Sequence, residues 1–454
     1  MIRVRFAPSP TGWMHIGTAR SGLMNWLFAR KLGGILILRI EDTDKERSTK
    51  EFEENIIEGL KTLGLDWDEF YRQSERYDVY KEHLSKLISE GKAYRCFCSK
   101  EEIDADRKAA EAAGGSYRYD GKCSHLSKEE IGLNLEAGKP FVIRFKVPEE
   151  KISWDDMIRG HIEFDMSLLG DIVIAKGMDE PLYNFSVVVD DALMEITHVI
   201  RGEDHVPNTP KQIAIFRALG YEPPTYAHLP LILAADRSKM SKRYAETALS
   251  EYLNDGYLPE AIVNFIALLG WHPKGDEEIF TIKELIDQFD IEKVQKGGAI
   301  FDLQKLAWIN RHYIAHILSA GEVAERSEKF LPEGWHMTPE IADAVRSRVD
   351  KLSDIRELSE FFFVEPAYQE DMLFFKGRKE GIADNLNLLL SALSDISDWS
   401  LDSVSAAVSG VVPDDSKGEY FWPLRVALSG REKSPGPIEI MNGLGKERSL
   451  KRIS

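Results

Sequence analysis

The chain has 454 residues, 43% hydrophobic and 30% charged, with a net charge of -18. That gives room for roughly two to four globular domains with real cores. It excludes an indiscriminate nucleic-acid binder, whose surface would be basic, while leaving a selective RNA partner possible through local basic patches. Residues 431–454 are one candidate patch, with Arg431, Lys433, Lys446, Arg448, Lys451 and Arg452 set against Glu432, Glu439 and Glu447. No apolar run reaches the ~18 residues of a transmembrane helix. The N-terminus also lacks a signal-peptide core, so no membrane partner and a cytoplasmic location are expected.

In chain order, Ile2, Val4 and Phe6 alternate with Arg3 and Arg5 and predict a strand. A turn follows, Ala7-Pro8-Ser9-Pro10-Thr11-Gly12, and then His15-Ile16-Gly17-Thr18. Ala19, Leu23, Trp26, Leu27 and Arg30 fall at helical spacing, and Gly33-Gly34 supplies a stop. Ile35 to Ile40 is a near-continuous apolar strand, as in a sheet covered on both faces. Strand, helix, strand is half of a nucleotide-binding sheet. Residues 50–64 predict a further amphipathic helix. From about 77 to 175 the texture changes, with three clustered cysteines, a Gly114-Gly115 break and a short strand at Phe141–Phe145, and the stretch reads as an insertion. Apolar strands resume at Asp171–Ala175 and Ile196–Arg201, where the nucleotide fold is expected to close. Residues 245–320 read as mainly helical. From about 321 onward amphipathic helices alternate with Gly/Pro turns, and no internal repeat appears.

Two separated motifs carry the chemistry. Pro8 and Pro10 stiffen the first turn, and Gly12 and Gly17 let backbone approach a ligand. The helix starting near Ile16 should aim N–H groups and its positive end at phosphate, with His15 as a further donor. A P-loop would carry a lysine where Thr18 stands. Lys239-Met240-Ser241-Lys242-Arg243 can supply that missing charge from far downstream. The two halves together read as a divided clamp for ATP, with His15, Lys239 and Lys242 stabilising charge that builds on the phosphates. Asp42 and Asp44 read as loop carboxylates, because Mg2+ is expected to arrive with ATP. Cys96-x-Cys98 followed by Cys123-x-His125 uses every cysteine of the chain and offers four atoms that suit one structural Zn2+.

These motifs, with Arg39-Ile40-Glu41-Asp42-Thr43-Asp44, Tyr71-Arg72-Gln73-Ser74-Glu75-Arg76, Val189-Asp190-Asp191, Val199-Ile200-Arg201-Gly202-Glu203-Asp204 and Gly256-Tyr257-Leu258-Pro259-Glu260-Ala261, resemble bacterial-type glutamyl-tRNA synthetases along essentially the whole chain. The resemblance implies a class I aminoacyl-tRNA synthetase: an α/β, Rossmann-type catalytic domain (1–76 and 176–240) with an inserted acceptor-binding domain holding the zinc site (77–175). A stem-contact domain (241–320) and an all-helical anticodon-binding domain (321–454) would follow. The implied activity is glutamate–tRNA ligation, in which ATP and L-glutamate form glutamyl-adenylate and the acyl group passes to the 3′ end of tRNA(Glu). The implied ATP-binding residues are Pro8, Ser9, Thr11, Gly12, His15, Gly17, Lys239, Ser241 and Lys242.

Glutamate has two carboxylates and one ammonium, so its site needs cations and an anion. Arg5 and Arg201 at strand ends supply the cations, and Glu41 the anion, with Ser9 and Ala7 nearby. The resemblance adds Tyr183 on the side-chain carboxylate, and Arg348 and Arg425 as anticodon contacts. A monomer is expected. A relaxed enzyme that also charges glutamine tRNA is the nearest rival. A tRNA-base-modifying paralogue should lack the region after about 300, a small adenylyltransferase should be much shorter, and a non-catalytic zinc-containing RNA binder would not need the lysine loop.

Overall fold

A computed structural model describes residues 1–115, 117–234, 236–238 and 248–454. The chain forms two compact units, residues 1–250 with 263–302, and residues 251–262 with 303–454.

The first unit is built on a seven-stranded sheet. Its strands are β1 (Arg3–Phe6), β2 (Ile35–Ile40), β3 (Glu69–Arg72), β6 (Lys151–Asp156), β7 (Gly160–Asp165), β9 (His198–Gly202) and β10 (Thr225–Leu229), in the order β3-β2-β1-β9-β10-β6-β7. All neighbours pair in parallel except β6 and β7, which form an antiparallel hairpin. Residues 36–40 of β2 are buried, as an apolar strand covered on both faces must be. Helix α1 (Ile16–Lys31) crosses from β1 to β2 and buries eleven residues around most of its circumference. It ends ahead of Gly33, whose φ of +59° lies in the left-handed region that favours glycine. From β1 the chain builds outward one way through β2 and β3, and from β9 the other way through β10. Such a reversal leaves a crevice beyond the strand ends, between β1 and β9.

The α/β fold class expected from the sequence is the one observed, and its strand-helix-strand start is placed within a residue or two. Two expectations change. The sheet does not close at Ile196–Arg201, because helix α7 (Thr209–Leu219) leads on to β10. The stretch 77–175 also divides. Strands β4 (Ala93–Cys96), β5 (Val142–Phe145) and β8 (Ile172–Ala175) make a separate antiparallel sheet, while the β6–β7 hairpin extends the large one through Tyr226 and Asp156. The hairpin is legible only as an edge, since β6 alternates polar and apolar side chains along Lys151–Asp156. Ile37, Leu84, Phe145, Phe185, Val188 and Phe216 share one core, each worth about 1.5–3 kcal/mol of burial.

The second unit is helical, with segments that include Ala320–Ser327, Pro339–Val345, Ile355–Phe363, Ile382–Ser394, Leu401–Val411, Lys417–Ser429, Pro437–Leu444 and Lys446–Ile453. The basic side chains of the tail also tie it to the helices around it. Lys446 Nζ donates to the Ser394 and Ile396 carbonyls at 2.9 and 2.6 Å. Arg452 donates to Leu428 O at 2.6 Å and Val364 O at 3.1 Å, and Arg448 donates to Phe362 O. Arg431 donates to Glu357 O and pairs with Glu360, and Lys451 pairs with Glu365. Several of these carbonyls are the unsatisfied last turns of helices, which cations cap favourably. Among the described residues no helix is long and apolar enough to cross a membrane.

Candidate active site

The crevice predicted by the strand order is a cleft of about 1380 Å³. Arg5, Ala7, Pro8, Ser9, Thr11, His15, Gly17, Glu41, Tyr183 and Arg201 all line it. Gly12 does not line it, and a Cβ there would meet nothing within 4 Å. The turn after β1 is tied down by Glu41 N–H on Pro8 O and Thr49 N–H on Pro10 O, at 3.0 and 3.1 Å.

On the β1–β2 side a buried charge cluster forms the wall. Helix α6 (Tyr183–Leu193) runs Val187-Val188-Val189-Asp190-Asp191, all buried. Two adjacent acids inside a core require buried cations, and β1 and β2 deliver them. Arg39 reaches Asp191 at 2.7 Å, Glu41 at 3.0 Å and Asp190 at 3.8 Å. Asp190 also accepts from Arg76, Gln73 and Tyr80 at 2.7–2.8 Å. Arg5 gives only its Nε to Asp191, at 3.2 Å, and its Nη groups have no partner among the described residues. Burial would lift the Asp191 carboxyl, but Arg5 and Arg39 hold it below the ordinary range. For Glu41 burial wins, and its carboxyl sits above the ordinary value despite Arg39 and Arg5. Its Oε1 accepts from Arg39; Oε2 has no protein partner among the described residues. Facing this wall, Arg201 at the end of β9 donates to Tyr183 Oη at 3.4 Å and Thr209 Oγ1 at 2.9 Å. Tyr183 Oη lies 3.0 Å from His205 Nδ1. Burial, then Arg201, drives the His205 imidazole down to about 4, so it is neutral at ordinary pH.

The phosphate side differs from the sequence expectation. His15 is the N-cap of α1, and its ring folds back so that Nδ1 accepts from the N–H groups of Gly17 and Thr18 at 3.1 and 3.3 Å. Thr18 Oγ1 lies 3.0 Å from Nε2. The donors expected to await phosphate are therefore taken by the histidine. Gly17 permits this: a Cβ there would lie 3.0 Å from His15 Cε1. Lys239, Ser241 and Lys242 lie outside the described residues. Both described flanks of that segment reach the same place, with Ile232 lining the cleft and Ala248 bridging to His15. Asp42 accepts from Ser74 N–H at 2.8 Å and Asp44 pairs with Arg47 at 2.6 Å, so both are loop carboxylates with protein partners.

Away from the cleft, Cys96, Cys98 and Cys123 place their sulfurs within 4.8 Å of one another. His125 is exposed and outside that group. The fourth polar atom among the sulfurs is Tyr119 Oη, 3.3 Å from both Cys96 Sγ and Cys98 Sγ. Spacing rules for Cys and His give no hint of a tyrosine. In the second unit Arg348 is exposed with no partner among the described residues, and Arg425 holds a buried Nε that no protein acceptor meets. His205, His228 and Asp156 are not marked by any motif, and Asp190 and Asp191 stand in the sequence only as part of a resembling segment, with no role attached. The apolar run before Asp190-Asp191 was the available signal for the first two.

A largely parallel sheet with a cation-walled cleft at its switch point has the architecture of an α/β enzyme that binds an acidic ligand beyond its strand ends. Residues 1–308 match the catalytic domain of tRNA synthetases class I (E and Q), and residues 310–454 match an anticodon-binding domain. The chain belongs to the class I tRNA synthetases (E and Q). The whole chain is 47% identical to Glutamate–tRNA ligase 2 of Thermoanaerobacter pseudethanolicus, covering 97% of that protein. It is 44% identical to Glutamate–tRNA ligase of Aquifex aeolicus, covering 98%. The crystal structure of a glutamate tRNA ligase from Elizabethkingia meningosepticum, in complex with its amino acid, aligns with a TM-score of 0.88 at 34% identity, over the whole chain and 98% of that one.

Proposed function

We infer that the protein is a glutamate–tRNA ligase, which uses ATP to activate L-glutamate and transfers it to the 3′ end of tRNA(Glu), releasing AMP and pyrophosphate. One observation carries the reading most: a cleft that brings two arginines and a tyrosine, Arg5, Arg201 and Tyr183, together with the half-engaged carboxylate Glu41. The arginine forks suit the side-chain carboxylate, Tyr183 adds a hydroxyl, and Glu41 Oε2 is placed to take the ammonium. Ser9 and the Ala7 backbone lie beside Glu41 on the ammonium side. The α-carboxylate attacks the α-phosphorus of ATP and pyrophosphate leaves. A ribose hydroxyl of the tRNA terminus then attacks the adenylate carbonyl, and AMP leaves. No protein nucleophile is required. Pro8, Ser9, Thr11, His15 and Gly17 form the phosphate-side cradle, with Gly12 in the turn outside the cleft lining and Lys239, Ser241 and Lys242 completing the clamp. For this the His15 ring must turn from Gly17 N–H and Thr18 N–H toward the phosphates. Mg2+ accompanies ATP and supplies charge neutralisation there.

We assign 77–175 to the tRNA acceptor end, 241–320 to the stem and 321–454 to the anticodon, with Arg348 and Arg425 as base contacts. Arg348 has the exposure and the uncommitted donors this role needs. The protein acts as a monomer in the cytoplasm, where ATP and tRNA are supplied. Cys96, Cys98 and Cys123, with Tyr119 as the oxygen ligand in place of His125, would hold one structural Zn2+ that braces the β4 end. Charging assays with tRNA(Glu) and glutamine tRNA test the function. Glutamate should be attached to the first and not the second, and no glutamate attachment to either would refute it. For the metal, Tyr119→Phe should lower zinc content and His125→Ala should not.

A further inference from the structure

His228 sits on β10 directly across from Arg201 on β9, and both are buried. Its Nε2 accepts from Arg201 Nε at 3.3 Å. An imidazole nitrogen that accepts carries no proton, so the ring proton belongs on Nδ1. Nδ1 lies 2.5 Å from Asp156 Oδ2, an acceptor that fixes this tautomer. Asp156 is itself anchored: its Oδ1 accepts from the N–H groups of Ile158, Arg159 and His228 at 3.1, 2.9 and 3.2 Å. Burial works against ionisation of Asp156, but His228 and these N–H groups outweigh it and hold the carboxyl below the ordinary range.

Asp156 is the last residue of β6, so this chain of contacts begins in the edge hairpin and ends at a substrate-facing guanidinium. The hairpin turn makes a second contact of the same kind. Arg159 pairs with Glu203, and Glu203 accepts from Leu231 N–H at 2.7 Å in the cleft lining. The Arg201 fork is thus held at three points: Nε by His228, Nη2 by Thr209 and Nη1 by Tyr183.

We propose that Asp156 and His228, delivered by the β6–β7 hairpin and β10, are positioning residues that fix Arg201 in the orientation that selects glutamate. The proposal rests on the glutamate–tRNA ligase reading and names the device that orients its cation. With Asp156 gone, the ring can present an Nε2–H to the Arg201 Nε–H; two donors then oppose each other and the fork turns away. A fork displaced by about 1 Å can lose about 100-fold in productive binding.

The test is Asp156→Asn and a His228→Gln and His228→Leu pair, assayed in tRNA-dependent ATP–pyrophosphate exchange. Asp156→Asn and His228→Leu should raise the glutamate KM by about 10- to 100-fold, with the ATP KM little changed. His228→Gln keeps an acceptor near the Nε2 position and should recover most of the loss. Histidine 15N shifts should report the tautomer change in Asp156→Asn. If Asp156→Asn fails to fold, the Gln and Leu variants at 228 decide alone. A folded Asp156→Asn or His228→Leu with an unchanged glutamate KM overturns the proposal. So does a rise in glutamate and ATP KM together, which would mark mere loss of packing. A wild-type protein with no glutamate-dependent exchange would overturn the underlying reading, and this one with it.

Discussion

The two halves of the cleft are organised in opposite ways. The half proposed to take glutamate is built before any ligand arrives: Arg39 is wholly buried among Asp191, Glu41 and Asp190, and Arg5 and Arg201 are each held by fixed partners. The phosphate half is closed on itself, with His15 occupying the helix N–H groups. Charge selection for a small amino acid needs rigid cations, because a flexible arginine would adapt to an amide as well as to a carboxylate. Phosphate neutralisation is needed only as the reaction proceeds, so in the proposed mechanism those donors can be occupied meanwhile by His15.

The contrast can be broken most forcefully at Arg39. Arg39→Met should leave three carboxylates partly uncompensated and cost about 3–5 kcal/mol of stability, read by urea unfolding. A loss within about 1 kcal/mol, the size of an ordinary surface ion pair, would mean the cluster is not what holds this wall. Lys242→Ala probes the other half. It should slow adenylation by about 2–4 kcal/mol in barrier and leave glutamate affinity unchanged, as followed by single-turnover kinetics. An unchanged rate would remove Lys242 from the clamp.

Gly17→Ala sharpens the contrast at the closed half. Its methyl would crowd His15, release the ring and cost about 0.5–2 kcal/mol in capping. His15→Ala should cost a similar amount, and the double variant should cost little more than either. Fully additive losses would show that the ring does not cap α1 in solution. The smallest effect concerns pH. His205 has a folded value near 4 against an ordinary 6.5, so the unfolded chain takes up its proton first as pH falls. The stability tied to its neutral form is complete above about pH 6.5 and drains away toward pH 4. His205→Gln should flatten the urea midpoint over that interval, and an unaltered slope would contradict the shift.

What could be read from the sequence depended on whether a residue's partner was near in the chain. The apolar run Ile35–Ile40 and the Gly33 stop announce β2 and the end of α1 locally. Arg5, Glu41 and Arg201 were legible as strand-end charges, and the structure brings them to one cleft. The roles of Asp191, quoted only within a resembling segment, and of His228 were not, because they lie in Arg39 and Asp156, far away in sequence. Tyr119 was invisible for another reason: nothing about a lone tyrosine distinguishes a place among three sulfurs from ordinary packing. In the basic tail, counting charges could not show that Lys446, Arg448 and Arg452 also bond helix carbonyls.

The claim at the centre is that fixed arginines choose glutamate by its side-chain charge. ATP–pyrophosphate exchange with tRNA(Glu), run on glutamate and glutamine for the wild type and Arg5→Ala, tests it most directly. The wild type should use glutamate and reject glutamine. Arg5→Ala should lose that preference while its ATP KM holds. An Arg5→Ala enzyme that still rejects glutamine as strongly as the wild type would contradict the claim.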